Sequence, residues 1–164
     1  TNGLDWPMLV KYYGNRNFTS KLIFHVSMPK PFRLAEQYLI RAEAYCRKND
    51  FTKAGNDLTA LRKMRYASGG TLNVSKNNWL QTISDERVRE LYMEGFRLHD
   101  LKRWGKEYAD LNGGYSIRRT PQSCSQPEGS SLKIEADNPL FVWPIPQHEL
   151  EAPGSEILPN ESNR

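Results

Sequence analysis

The chain has 164 residues, with 23 Lys and Arg against 19 Asp and Glu, for a formal net charge of +4. A domain of that size buries roughly 68–70% of its unfolded surface, so a core can form without disulfides or metal. The positive surplus is small and scattered, which argues against a nucleic-acid partner, and no run of about 18 apolar residues is present to span a bilayer.

Residues 1–32 read as extended and loop-like, with a weak alternation at Leu22, Phe24 and Val26 closed by Pro29 and Pro31. From Phe32 to about Arg47 the helical signal is strong. Ala35, Tyr38, Leu39, Ala42, Tyr45 and Cys46 fall at i, i+3, i+4, i+7, i+10 and i+11, a single apolar stripe. Asn49-Asp50 interrupts the stripe and offers a cap, after which Phe51, Ala54, Leu58 and Leu61 repeat it through residue 66. Two helices at about 32–48 and 51–66 with so short a turn form an αα-hairpin, and its order of large and small residues resembles one tetratricopeptide repeat. A lone repeat cannot cover its own faces, so partner helices are expected upstream in a longer protein. The start at Thr1, without Met or a secretory signal, fits the same expectation.

A third helix is expected over 84–105. Ser84 is read as its N-cap, Val88, Leu91, Tyr92, Gly95 and Leu98 as its buried face, and Gly105 as its stop. Gly95 inside a helix suggests a close backbone contact. Residues 106–164 read as loop-rich, with 112–131 an exposed connection, then Leu140-Phe141-Val142-Trp143, Pro144-Ile145-Pro146 and one helical turn at 147–150.

Charged residues are the candidates for chemistry. Arg87, Glu90, Glu94 and Arg97 form one polar stripe, and Arg33, Glu36, Glu43 and Arg47 form another on the first helix. Glu90 and Glu94, one helical turn apart, invite a glycosidase reading. Arginines at both ends oppose it, because they lower carboxylate pKa values where a glycosidase needs its acid raised. The two stripes are therefore read as a structural ion-pair ladder, with Glu36 and Arg97 a specific expected pair. His25, His99 and His148 have no ligand spacing, and no phosphate loop or nucleophile elbow is present, so neither metal, cofactor nor catalysis is expected. Trp6, Tyr12 and Tyr13 lie in a polar, Gly- and Asn-containing stretch where a sugar could stack, and are the candidate ligand residues; Trp79, Trp104 and Trp143 are read as packing residues. Cys46 lies on the apolar stripe and Cys124 in a polar loop, and spacing leaves their pairing open.

Three segments together resemble the SusD/RagB family. They are Arg33-Leu34-Ala35-Glu36-Gln37-Tyr38-Leu39-Ile40-Arg41-Ala42-Glu43-Ala44; Asp85-Glu86-Arg87-Val88-Arg89-Glu90-Leu91 with Glu94-Gly95-Phe96-Arg97 and Asp100-Leu101-Lys102-Arg103-Trp104; and Pro144-Ile145-Pro146-Gln147-His148-Glu149-Leu150 with Leu158-Pro159-Asn160. The resemblance implies a mainly α fold, an αα-hairpin and a third long helix wrapped by extended loops and a short closing segment. It also implies that residues 1–164 form the C-terminal portion of a longer outer-membrane lipoprotein, anchored through an upstream lipidated cysteine that neither Cys46 nor Cys124 matches. Such proteins bind an oligosaccharide or polysaccharide without bond making and serve a SusC-like TonB-dependent transporter. The matched motifs are framework and transfer no ligand residues. A tetratricopeptide-like scaffold for a protein or peptide is the alternative function.

Overall fold

The structure, a computed structural model, describes residues 30–119 and 132–163. The chain divides into two units, Thr1–Leu34 and Ala35–Arg164, and every element from the body of the first helix onward lies in the second. The fold is mainly helical, with one small two-stranded sheet.

Helix α1 spans Leu34–Arg47 and buries Ala35, Leu39, Ala42, Glu43 and Cys46, the expected stripe plus one carboxylate. It stops because Asn49 adopts a left-handed φ of 60°, tolerable for Asn. The Asp50 amide then donates to the Tyr45 carbonyl at 2.9 Å and the Asn49 amide to Cys46 at 2.9 Å, a Schellman cap. Asp50 in turn caps α2, Phe51–Lys63, its carboxylate accepting from the Lys53 amide. The two helices run antiparallel. Arg41 and Asp57, each eight residues from Asn49, meet in a two-pronged bond of 2.8 and 2.7 Å.

The long third helix is two helices. Helix α3 spans Trp79–Glu90 and begins five residues before Ser84. Its start is shaped by Asn78, whose Oδ1 accepts from the Ser75 amide and whose Nδ2 donates to the Asn73 carbonyl. Ser84 is therefore buried within α3 and is not its cap. Residues 91–95 break the helix, with Met93 at φ 61° and Gly95 at φ 84°, and α4 follows over Phe96–Leu111. Gly105, read as a stop, is instead a kink inside α4 at φ 50°, ψ −128°.

Gly95 is required for its conformation and not for close contact: a Cβ built there meets nothing within 4 Å. Replacing it with Ala is expected to destabilise the domain by about 1–2 kcal/mol through left-handed strain alone. Gly95→Asn, which tolerates that region, should recover part of the loss in a thermal melt. Equal stability of Gly95→Ala and the parent would show that the break relaxes elsewhere.

The buried face expected for the long helix is also corrected. Leu91 is buried, but Val88, Tyr92 and Leu98 are exposed. The core is one cluster drawn from Leu39, Leu58, Ile83, Leu101 and Trp104 with their neighbours, so it joins all four helices. Trp104 and Tyr108 stack within it at 5.6 Å between ring centroids.

The expected connection at 112–131 begins with a strand. Strand β1, Tyr115–Arg119, pairs antiparallel with β2, Leu132–Glu135. Tyr115 faces Glu135 and Ile117 faces Ile134, which leaves Ser116 as the extra residue of a bulge. The closing segment has the expected helical turn, α5, at Gln147–Leu150. Asn163 clips it by accepting from the Ile145 amide at 3.0 Å and donating to the Ile145 carbonyl at 2.9 Å. Trp143 does not pack as expected; it is 83% exposed, although Asn160 Nδ2 holds its carbonyl at 2.8 Å.

Candidate functional site

Members of both charged stripes are paired, chiefly with residues that belong to neither stripe. Glu43 is the hub. Only 5% exposed, it accepts from Arg103 Nη1 and Nη2 at 2.6 Å each, from Trp104 Nε1 at 3.0 Å, and from Arg47 at 3.2 Å. Burial pushes its pKa up, yet the bonds from Arg103 and Trp104, with the charges of Arg103 and Arg47, outweigh burial and hold the carboxyl below the usual glutamate range. Arg103 also reaches Asp100 at 3.0 Å, which takes a 2.7 Å bond from the buried Arg87. Glu90 is gripped by both prongs of Arg65, at 2.8 and 2.9 Å. Arg62 and Arg89 converge on Glu86 at 2.5 and 2.6 Å. Arg33 and Glu94 are each engaged.

Arg97, expected to pair with Glu36, is held by hydroxyls. Its Nη1 donates to Ser84 Oγ at 2.8 Å and its Nη2 to the Tyr108 hydroxyl at 2.7 Å, across the 91–95 break. The pair Glu90 and Glu94 no longer shares one helix face, because Glu94 lies in the break. Cys46 is a buried thiol pushed up to about 11, mainly by burial and also by the charge of Glu43, so it is an unreactive core residue.

Trp6, Tyr12 and Tyr13, the candidate stacking residues, lie outside the described residues, as does Cys124. The concave sites of the described part include two of ligand size. One, about 370 Å³, lies at the 91–95 break among Leu91, Tyr92, Met93, Phe96 and Leu98. The other, about 460 Å³, lies between α4 and β1, lined by Arg97, Leu101, Tyr108, Tyr115, Ser116 and Arg118 among others. Sequence reading missed the second because its far wall is a strand taken for loop. The alternation Tyr115-Ser116-Ile117-Arg118 is the signal that could have found it. Among the described residues no group of acids, histidines and cysteines could hold a metal, and no helix is long and apolar enough to cross a membrane.

The family model described as the SusD family matches residues 6–155. The chain belongs to the SusD family. Among curated proteins it is similar to the starch-binding protein SusD of Bacteroides thetaiotaomicron, 37% identical over 109 residues. That match covers 64% of this chain and 18% of the relative, so the chain spans less than a fifth of the relative's length. No solved structure matches the chain.

In this member of the SusD family, the residues that carry the resemblance form the framework just described. Glu43 of the first segment receives Arg103 and Trp104 of the second, so the two motifs are halves of one contact. The second motif is not one helix but two segments and the turn between them, with Glu94-Gly95 in the turn and Phe96 opening α4. In the third, Pro146 precedes α5 and Asn160 ties back to Trp143.

Proposed function

We propose that this chain is the C-terminal portion of a larger SusD-like protein that captures glycan at the bacterial outer surface. In this reading the whole protein is lipid-anchored upstream and hands its ligand to a SusC-like TonB-dependent transporter. The observation that carries it is the family match across residues 6–155, reinforced by a relative whose name records starch binding. Capture is passive. Hydrolysis would need a carboxyl held protonated near neutral pH. Glu43 is instead held down by arginine, and Glu90 lies against both prongs of Arg65. Recognition then rests on ring stacking and hydrogen bonds to hydroxyls, with Trp6, Tyr12 and Tyr13 as stacking residues.

The test is a glycan array probed with this chain and with the full-length protein side by side. Glycan binding by the full-length protein is the expected result. Binding by the isolated chain as well would direct Ala substitution to Trp6, Tyr12 and Tyr13. Silence from a demonstrably folded full-length protein would overturn the reading. Capture of a peptide instead would favour a tetratricopeptide-like scaffold, a second reading supported by the α1–α2 hairpin and its three-residue turn.

A further inference from the structure

The framework arginines described above end on carboxylates, but two arginines in the α4–β1 cavity do not. Within the described residues Arg97 bonds only the hydroxyls of Ser84 and Tyr108, and Arg118 makes no ion pair. Among the described residues the cavity lining therefore includes two arginines and no acidic residue. Its walls carry the tyrosine rings of residues 108 and 115 and the apolar side chains of Leu101 and Ile117. Ser116, turned inward at the bulge, is 4% exposed and its Oγ has no hydrogen-bond partner. Buried hydroxyls are nearly always bonded, so an orphan on a cavity wall is a vacancy for a ligand group. Because Tyr108 accepts from Arg97, its own O–H proton stays available to donate. Asn112 uses its Nδ2 on the Tyr108 carbonyl and keeps its Oδ1 as an acceptor. A volume of about 460 Å³ lies within the range that small ligands occupy.

We propose that this cavity binds an acidic sugar, a uronic-acid residue of a glycan. The proposal rests on the glycan-binding reading above and assigns it a ligand class. Arg118 presents a forked donor that matches a carboxylate, a geometry that lysine does not offer, and Arg97, held by Ser84 and Tyr108, adds its positive charge. The Tyr115 ring meets the C–H face of the sugar, and the hydroxyls of Ser116 and Tyr108 with Asn112 Oδ1 meet its hydroxyls. A neutral sugar would fill the same space but offer the two arginines no counter-charge.

The test titrates the full-length protein, followed by calorimetry, with a panel of uronic-acid oligosaccharides, their neutral methyl esters, acidic peptides and sodium acetate. The acids are expected to bind at least ten-fold more tightly than their esters, and added salt should narrow the gap. Arg118→Ala should abolish the acid preference, while Arg118→Lys, which keeps the charge, should retain part of it. Equal binding of acids and esters would overturn the acidic-sugar site and leave general glycan binding standing. An acid preference that survives Arg118→Ala would place the site elsewhere. Acetate displacing the sugars mole for mole would reduce the cavity to a bare anion site. Binding of acidic peptides with no sugar bound at all would overturn both the site and the glycan reading.

Discussion

Substituting Asp100 by Ala is expected to destabilise this domain by about 3–5 kcal/mol, the usual cost of leaving one member of a buried ion pair alone. The side chains of Arg87 and Asp100 are 5% and 4% exposed and joined at 2.7 Å. Arg87 Nη1 already lacks a hydrogen bond, so this guanidinium leans heavily on its one carboxylate. The face of Phe96, 5.9 Å from the guanidinium carbon, cannot replace it. Arg103 would lose its 3.0 Å bond as well, but it is half-exposed and can turn to water. The pair is a matter of matching charge more than of net gain. The double variant Arg87→Met, Asp100→Leu should therefore be far more stable than Asp100→Ala. Urea denaturation compares the three chains. If the single variant costs under about 1 kcal/mol, Arg87 has an escape to solvent that its burial denies.

The second large effect is at Glu43. Glu43→Gln keeps the shape but removes the charge that two arginines share, and presents an NH2 group toward donors. A loss of about 2–4 kcal/mol is expected near neutral pH, discounted from a fully buried pair because Arg103 is 42% exposed. The pH dependence has a definite sign. The folded carboxyl titrates below its ordinary value of 4.5, so the unfolded chain binds the proton first. The stabilisation is complete above pH 4.5 and is lost as pH falls through the lower folded value. Thermal melts of parent and variant should thus converge in strong acid and separate toward neutrality. A gap that is constant from pH 2 to 7 would assign the loss to packing and not to charge.

How much of this was legible in the sequence differs by element. The α1–α2 hairpin was, because Leu39, Ala42, Leu58 and Leu61 recur at helical spacing and are all buried. The split of the third helix was not. Leu91 and Tyr92 continue the period of Val88, and periodicity registers position along a helix but not the left-handed φ of Met93 and Gly95. Ser84 looked like a cap because a hydroxyl before acidic residues usually is one; only the fold brings Arg97 against it. The carboxylate hub was half visible. Glu43 was placed in a charged stripe, yet its principal donors lie sixty residues away on a helix whose start was misjudged. The α4–β1 cavity was not visible, since Ser116 and Arg118 stand between Gly113-Gly114 and Pro121, a setting that reads as loop.

The Glu43 hub also bears on the order in which the chain can be assembled. Arg41 reaches Asp57 across sixteen residues, whereas Arg103 reaches Glu43 across sixty. Closing the longer loop costs about 1.2 kcal/mol more chain entropy than closing the shorter, from the logarithmic growth of closure entropy with length. The hairpin is the cheaper contact to make first, and a formed α1 holds its carboxylate at a fixed point. Helix α4 then docks on an acceptor already in position, so one side chain couples the local and the long-range halves of the topology.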